Sequence, residues 1–338
     1  MHLPNKRVTL NDIAKALNIS KATVSLALND KGALLPGRRA EIKRMAKKMN
    51  YRPNPLAQAL RGASTRTIGV VTNYFSNIYF RDFYTGLEEI ADAHGFSFMV
   101  SQAYESIEKE RRQVEKFAQY GVDGLIVLPC SQEKDHLASV VNLGIPVVLI
   151  SNTLGDEFAA VVPDNIRGTE LAVSSLLEMY DRPVFHIAGP QGQSSQLQRR
   201  ETFCRIVEKI GIHLPYGSLV YDAGGLRSQA GYECMKRVLH DHTPPFSLFV
   251  CNDEIATGVI HYARENGLRI PEDIAIACFS GDTSFVALGL PVTTAAVQAK
   301  RMGETTARLL LDFMDRPEEL QSPPVITLPV VLTPAVFS

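Results

Sequence analysis

Apolar side chains follow a helical spacing in the first part of the chain. The stretch VTLNDIAKALNISKATVSLALN contains two short segments of this kind, separated by a break of about two residues. Thr9 and Asp12 have the spacing of a capping box, and Ser20 is a good N-cap for the second segment. A third helix is predicted from about Pro36 to Met49. This pattern predicts an all-α helix-turn-helix headpiece over residues 1–53.

A short segment that follows the headpiece has the features of a conditional helix. Asn54 is a suitable N-cap, and Pro55 occupies the first helical position, where a missing N–H has no cost. The helix formers LAQALR come next, and Gly62 is suited to end the helix. About two turns are too short to be stable alone in water. We therefore expect residues 54–62 to form a hinge helix only when something packs against it.

From Thr67 onward, short apolar runs alternate with amphipathic helical segments. The predicted strands are residues 68–72, 96–101, 124–129, 146–151, 183–189, 218–224, 247–252 and 274–280. This alternation predicts α/β architecture with parallel sheets. The number of strands favours two Rossmann-like lobes that face each other across a cleft, as in periplasmic binding proteins. The expected first lobe spans about 63–162 and 294–320, and the second about 163–293 and 321–338.

Charge separates the headpiece from the rest of the chain. Residues 1–62 contain 13 Lys and Arg against 3 Asp and Glu, whereas residues 63–338 contain 22 against 33. The 338-residue chain is otherwise ordinary for a globular protein, with 45% apolar and 21% charged residues. A cationic headpiece on an anionic body is typical of a protein that binds the phosphates of duplex DNA.

Other classes of protein find little support in the sequence. The N-terminus lacks the apolar segment of a signal peptide, and no apolar run approaches the ~20 residues of a membrane span, so we expect a cytoplasmic protein without a membrane partner. The five cysteines are scattered and are expected to be reduced. The G-x-G-x-x-G, G-x-S-x-G, H-E-x-x-H and GK[ST] motifs are missing, so we predict no enzyme activity, no cofactor and no metal site.

Three motifs of the headpiece resemble the lactose-repressor (LacI/GalR) family of bacterial transcription regulators. They are T-L-x-D-I-A, S-x-x-T-V-S and N-Y-x-P-N-x-x-A-x-x-L, and the later segments IGVVTNYFSNIYF, GVDGLIVLP, VVPDNIRG and HIAGP match in order. The resemblance implies a repressor that binds a pseudo-palindromic operator as a homodimer and responds to a small-molecule effector. TVSLALNDKG looks somewhat like the maltose-associated branch.

The resemblance also assigns roles in DNA binding. The base-reading positions are Lys21, Ala22 and Leu26, since a lysine donates to guanine O6 and N7 and apolar side chains contact a thymine methyl. The implied phosphate contacts are Thr9, Ser20, Thr23, Ser25 and Asn29. The implied hinge contacts in the minor groove are Asn54, Ala57, Gln58 and Leu60, with Leu60 wedged between base pairs at the centre of the operator.

In the cleft, the sequence departs from sugar-responsive members of the family. Ser151 and Ser280 stand where those members carry aspartates, whereas Arg199, Asn252 and Asp253 match the family's pattern. Aromatic stacking is expected from Tyr74, Phe75 and Phe80. Three interpretations remain open: an anionic effector paired with Arg199, a neutral sugar held by stacking and amides, or a vestigial site.

Two further expectations concern assembly and class. By analogy, the dimer surface is placed on the helices predicted at 80–94 and 134–142, and a tetramer is not expected because no heptad helix follows the final strand region. The alternative functions are a repressor with a degenerate effector site and a cytosolic ligand-binding or metabolic α/β protein.

Overall fold

A computed structural model describes residues 8–30, 32–52, 64–74, 78–211, 219–280, 285, 289–316, 318 and 323–335. The chain divides into two compact units, Met1–Thr65 and Arg66–Ser338. None of the helices within the described ranges is long and apolar enough to cross a membrane. The five cysteines are all free thiols.

The described residues of the first unit form three helices. They are α1 (Leu10–Leu17), α2 (Lys21–Leu28) and α3 (Pro36–Lys48). Thr9 closes the predicted capping box, because its Oγ1 accepts from Asp12 N at 3.3 Å and Asp12 Oδ2 accepts from Thr9 N at 2.8 Å. Asn18 ends α1 in the left-handed conformation, with φ of 51°, which turns the chain towards α2.

A small apolar core joins the three helices. Its buried members are Ile13, Ala14, Val24, Ala27, Ile42 and Ala46. Helical spacing in the sequence also predicts Ala16 of α1 and Leu28 of α2 on the buried stripes, but Ala16 is exposed, and Leu28 is only half-buried while Ala27 is buried. In such short helices the neighbouring helix selects which small side chain is covered, so spacing alone does not decide between adjacent positions.

The second unit begins with a six-stranded parallel sheet. Its strands and helices are β1 (Thr67–Thr72), α4 (Ile78–Ala93), β2 (Ser97–Gln102), α5 (Ile107–Tyr120), β3 (Gly124–Val127), α6 (Asp135–Val141), β4 (Val147–Ile150) and β5 (Ala159–Pro163), with α11 (Ala299–Asp315) and β11 (Val325–Leu328) from the end of the chain. The strand order is β11-β5-β4-β3-β1-β2, and β11 pairs parallel with β5.

A second six-stranded sheet forms the other lobe. Its elements are α7 (Asn165–Met179), β6 (Val184–Ala188), α8 (Ser194–Lys209), β7 (Val220–Asp222), α9 (Ser228–Asp241), β8 (Phe246–Val250), α10 (Asp253–Glu265), β9 (Ile274–Ser280), β10 (Val292–Val297) and β12 (Val330–Thr333). The strand order is β12-β10-β9-β8-β6-β7, and only β12 runs antiparallel to its neighbour among these described pairs. The predicted fold of two parallel-sheet lobes is therefore confirmed.

The chain crosses between the lobes three times, and the crossings lie side by side. They fall after β5, after β10 and at Pro329 between β11 and β12. Asp164 N of the first crossing donates to Leu328 O of the third at 2.9 Å. Gln298 of the second crossing donates through Nε2 to Pro329 O at 3.3 Å.

The lobe boundaries near the C-terminus differ from those expected. Because β10 extends to Val297 in the second sheet, the chain returns to the first lobe at Gln298 and not at Thr294. Residues 325–328 complete the first sheet, although the prediction assigned everything after 320 to the second lobe. Strands β5, β10, β11 and β12 were not predicted. Of these, β11 and β12 have only four residues each, and the strands with which they pair, β5 and β10, are distant in sequence.

Glycines allow two pairs of helices to pack backbone against backbone. A Cβ built on Gly303 of α11 would lie 2.0 Å from Phe83 O of α4. A Cβ on Gly258 of α10 would lie 1.8 Å from Ser228 O of α9. Any larger residue at these positions would force the helices apart.

A buried polar cluster ties three segments of the first lobe together. Glu110 of α5 has no exposed surface. Its Oε1 accepts from His136 Nε2 of α6 at 2.8 Å, and its Oε2 accepts from Cys130 N, in the segment after β3, at 2.8 Å. Both carboxylate oxygens are therefore satisfied inside the lobe.

Candidate nucleic-acid interface and ligand cleft

Helix α2 presents the predicted base-reading residues on its exposed face. Lys21 and Ala22 occupy its first turn, and Leu26 lies one turn later with 42% of its surface exposed. Val24 and Ala27 face inward and are buried. The side chains that were predicted to read bases thus share one solvent-facing surface, as a helix inserted in a major groove requires.

The predicted phosphate contacts are polar side chains at helix ends, and their local hydrogen bonds fix their positions. Ser20 Oγ caps α2 by accepting from Thr23 N at 3.0 Å, and it lies 2.8 Å from Thr23 Oγ1. At the other end of α2, Asn29 Nδ2 donates to Ser25 O at 2.9 Å. A hydroxyl that accepts such a bond through a lone pair can still donate its own proton to a phosphate oxygen. These assignments stay predictions.

Five of the predicted site residues lie outside the described residues. They are the hinge positions Asn54, Ala57, Gln58 and Leu60 and the cleft position Phe75.

The cleft lies where strands of both lobes end. Its lining comes from segments that directly follow β1, β3, β4, β6, β7 and β8, which is where parallel α/β sheets bind ligands. It encloses about 670 Å³, including its open mouth.

Arg199 is the buried cation of the cleft. It projects from α8 with 7% of its surface exposed. Its Nε donates to Asn165 Oδ1 at 3.0 Å, its Nη1 donates to Cys251 O at 2.5 Å, and its guanidinium lies 3.6 Å from the centre of the Phe279 ring. Burial lowers the pKa of Arg199 to about 10, so the side chain still carries its charge at neutral pH.

Aromatic side chains of the first lobe cover one part of the cleft. Tyr74 and Phe80 line it as predicted, and Tyr79 lines it as well. Tyr79 donates from its hydroxyl to Met302 Sδ at 3.1 Å, and the same hydroxyl is 3.4 Å from Ser151 Oγ. Burial raises the pKa of Tyr79 to about 12. Tyr79 is therefore a neutral hydroxyl donor inside the site.

Asn252, Asp253 and Ser280 of the second lobe were predicted to bind the effector. Asn252 lines the cleft and also caps α10, because its Oδ1 accepts from Ile255 N at 2.8 Å. Asp253 is 6% exposed, and its Oδ1 accepts from Glu254 N at 2.9 Å at the start of α10. It is not among the residues that line the described cleft, and its role in effector binding stays a prediction. Ser280 ends β9, its side chain lies outside the described part of the structure, and its role stays a prediction as well.

Several lining residues were not predicted. They are Asn73, Tyr79, Leu128, Asn152, Gln193, Ser195, Gln196, Leu226, Arg227 and Glu254. Asn73, Leu128 and Asn152 lie one or two residues after a strand, and that position in an α/β sheet was the signal available in the sequence. Arg227 lies 4.9 Å above the Tyr74 ring and so joins the two lobes at the mouth of the cleft. No sequence motif marks that pairing.

Comparison with known proteins identifies both units. The model of bacterial regulatory proteins of the lacI family matches residues 9–54. The model of periplasmic binding proteins and the sugar-binding domain of the LacI family matches residues 65–332. The chain belongs to the LacI family. Members of this family are transcriptional regulators and not enzymes, so the predicted family and function are confirmed, whereas the maltose-associated branch stays a prediction.

Relatives within the LacI family match over nearly their whole length. Catabolite control protein A of Priestia megaterium is 27% identical over 312 residues, which cover 91% of this chain and 93% of that protein. The transcriptional repressor PurR of Erwinia tasmaniensis is 29% identical over 319 residues, with 93% of each chain covered.

Two solved structures of the LacI family have the same fold. A complex of the transcriptional regulator CelR with cellobiose has a TM-score of 0.71 at 25% identity and covers 97% of this chain and 99% of that one. The lac repressor dimer bound to operator and the anti-inducer ONPF has a TM-score of 0.81 at 23% identity, with 98% of each chain covered.

Proposed function

We propose that the chain represses transcription by binding a pseudo-palindromic operator as a homodimer, and that a small molecule in the cleft changes its affinity for DNA. The observation that carries this proposal is the exposed, capped start of α2. There Lys21 and Ala22 project from a headpiece segment with 13 basic and 3 acidic residues over positions 1–62.

The chemistry of α2 supports direct base readout. Lys21 donates to guanine O6 or N7, and Ala22 and Leu26 contact thymine methyl groups. The hydroxyl and amide side chains at the two ends of α2 position the headpiece on phosphates without reading the sequence. The basic residues supply the attraction to duplex DNA that depends on salt.

The hinge completes this proposal from the sequence alone. Pro55 at a helix start and Leu60 near its end suit a helix that forms when two subunits meet in the minor groove. A bent operator would bring the two half-sites under the two headpieces. Homodimers of this kind bind half-sites about one helical turn, or a multiple of it, apart.

A ligand in the cleft has the means to switch the protein. Tyr74 and Ser151 belong to the first lobe, and Arg199, Arg227 and Asn252 belong to the second, yet all five line one cavity. A ligand that touches both sets binds one arrangement of the lobes better than another. That difference in affinity is the free energy available to change DNA binding.

Relatives support this assignment. One related regulator has been solved in complex with cellobiose, and a related repressor dimer has been solved bound to operator and an anti-inducer. We propose that this chain likewise binds operator DNA as a dimer in the bacterial cytoplasm, on the DNA of the nucleoid.

Selection of bound duplexes from a random pool, followed by fluorescence anisotropy, tests the DNA-binding part. The selected sequences should form an inverted repeat, and sedimentation should show a dimer. Lys21→Ala should relax the preference at one base pair in each half-site, at a cost of about 1–3 kcal/mol for the preferred sequence. Lys15→Ala, an exposed lysine of α1, is the matched control and should weaken binding to all sequences slightly and equally. A uniform loss in Lys21→Ala would make that residue a phosphate contact.

A further inference from the structure

We propose that the effector of this protein is a small hydroxylated anion, a carboxylate or a phosphate ester, whose negative group pairs with Arg199 at the bottom of the cleft. This inference rests on the proposed function, in that it names the ligand class of the same cleft. The sequence leaves three interpretations of the cleft open, namely an anionic effector, a neutral sugar and a vestigial site, and this proposal selects the first.

The first support is that Arg199 forms no ion pair with a carboxylate among the described residues. Its hydrogen-bond acceptors are an amide oxygen of Asn165 and the backbone oxygen of Cys251, both uncharged, and its face is covered by Phe279. No carboxylate of the described chain lies within 4.0 Å of its nitrogens. Burial lowers the pKa of Arg199 and the charge of Asp253 acts in the opposite direction, but Asp253 is not in contact with the guanidinium. A buried charge without a directly paired carboxylate is costly, and an anion in the cleft would supply that partner.

The neighbouring arginine shows that this arrangement is specific to the cleft. Arg200 is the next residue of α8, and its Nη1 pairs with Asp222 Oδ1 at 2.5 Å. Both guanidinium groups are mostly buried, but only Arg200 has a carboxylate partner among the described residues. The chain therefore neutralises one of two adjacent arginines and leaves the other to line the cavity.

The start of α8 adds a second source of positive potential. Its N-cap, Gln193, makes no side-chain capping bond, and Gln193, Ser195 and Gln196 all line the cleft. Ser195 N already donates to Asn152 Oδ1 at 3.1 Å and Gln196 N to Gln193 O at 3.1 Å, so the helix start favours an anion chiefly through the helix dipole. Arg199 lies one turn further along the same helix, so both features act on the same end of the cavity.

The remaining polar groups indicate hydroxyls on the ligand. Gln196 is 6% exposed, and its Oε1 has no hydrogen-bond partner among the described atoms. This oxygen can therefore accept a hydrogen bond from a hydroxyl of the ligand. Glu254 is the one carboxylate among the described residues that line the cleft, and its oxygens also accept from hydroxyls. Against this single acid the lining has two arginines, Arg199 and Arg227. The balance favours a ligand that is anionic at one end and hydroxylated elsewhere.

The first lobe offers no charge to such a ligand. Its described lining residues are uncharged, and its polar groups there include Ser151, Asn152 and the hydroxyl of Tyr79. Burial raises the pKa of Tyr79 to about 12, so this hydroxyl donates a hydrogen bond and does not repel an anion.

The test compares charged ligands with a neutral sugar on the full-length protein, and D-glucose 6-phosphate and D-glucose are the matched pair. The probes are D-gluconate, D-glucose 6-phosphate, inorganic phosphate and D-glucose, at equal ionic strength, with binding measured by thermal shift and calorimetry. At least one anion should raise the Tm and bind roughly 30-fold or more tightly than D-glucose, because charge-assisted hydrogen bonds are about twice as strong as neutral ones. Gluconate and the phosphates distinguish a carboxylate site from a phosphate site.

Variants then locate the binding. Arg199→Gln should bind the anion roughly 30-fold or more weakly than the unaltered protein. Arg199→Lys keeps the charge and should lose less affinity. Arg200→Gln is the matched control on the same helix and should bind the anion as the unaltered protein does. If Arg199→Gln does not fold, Arg227→Gln at the mouth of the cleft tests the same electrostatics with a smaller expected loss.

Three results overturn the proposal. They are D-glucose binding as tightly as the anions, no stabilisation by any anion, and anion binding that survives in Arg199→Gln. Measuring operator affinity in parallel separates this proposal from the previous one. If D-glucose binds and changes operator affinity, the protein remains an effector-controlled repressor and only the anionic class is wrong. If the chain selects no duplex at all, the proposed function itself fails, whatever the cleft binds.

Discussion

The second lobe contains a buried histidine that should make the protein less stable in mild acid. His186 lies on β6 with no exposed surface, and its Nδ1 donates to Phe249 O at 2.9 Å. Its ring stacks on Phe249 with 4.8 Å between centroids. Burial lowers the pKa of His186 from its usual 6.5 to about 3. The unfolded chain therefore binds a proton near pH 6.5, whereas the folded chain does so only near pH 3.

The sign of the effect follows from this difference. Between the two pKa values the unfolded state holds more protons, so acid favours unfolding and stability falls as the pH falls. Within this window, each unit by which the pH falls lowers the free energy of unfolding by about 1.4 kcal/mol. Between pH 7 and about pH 6.5, His186 of the unfolded chain takes up little of its proton, so the effect accumulates mainly from there down to pH 5. The expected loss in the free energy of unfolding from His186 between pH 7 and pH 5 is about 2 kcal/mol.

Urea unfolding at the two pH values measures this loss. The chain has no tryptophan, so circular dichroism and tyrosine fluorescence are the suitable signals. His186→Gln keeps a donor for Phe249 O but does not titrate, and it should lose about 2 kcal/mol less than the unaltered protein between pH 7 and pH 5. His261→Gln, whose side chain is 66% exposed, is the control and should behave like the unaltered protein. Equal losses in all three proteins would refute the reasoning.

Three further substitutions test the packing and the caps. Gly258→Ala should destabilise the second unit by about 3 kcal/mol in a urea titration, because its Cβ would lie 1.8 Å from a backbone oxygen. Gly192→Ala, whose Cβ would have no atom within 4 Å, is the control and should leave the stability nearly unchanged. Glu110→Ala should cost about 3 kcal/mol or more, since it leaves two buried donors without an acceptor, and exposed Glu115→Ala on the same helix should not; comparable losses would contradict this role. Thr9→Ala should lower the stability of the headpiece by about 1 kcal/mol through loss of its cap, seen as a lower Tm in circular dichroism, and an unchanged Tm would speak against the cap.

The parts of the fold that could be predicted are those encoded by local patterns. The capping box of Thr9 and Asp12 involves residues three apart, and the apolar run of β9, Ile274–Ser280, has the bounds that were predicted. In both cases the information lies within a few residues of the element. The alternation of strands and helices is local as well, and it was sufficient to predict two parallel-sheet lobes.

The parts that could not be predicted depend on distant partners. Strands β11 and β12 have four residues each, and one proline separates them; only the sheets that receive them show that they belong to different lobes. The same applies to the cleft. Arg199 could be chosen from its sequence, but the absence of an ion-paired carboxylate among the described residues is a property of the surroundings that the fold creates. Asp253 matched the family's pattern as well, and only the structure shows that its Oδ1 accepts from Glu254 N at the start of α10.

The side-by-side crossings also have a consequence for the order in which the protein is made. Neither lobe is a continuous piece of chain, because β11 and β12 supply an edge strand to each sheet from positions 325–333. During synthesis on the ribosome, α1 to α3 of the headpiece are complete once residue 48 has emerged. Both sheets are complete only when almost the entire chain has been made. The headpiece can therefore fold before the two sheets that carry the ligand cleft are complete.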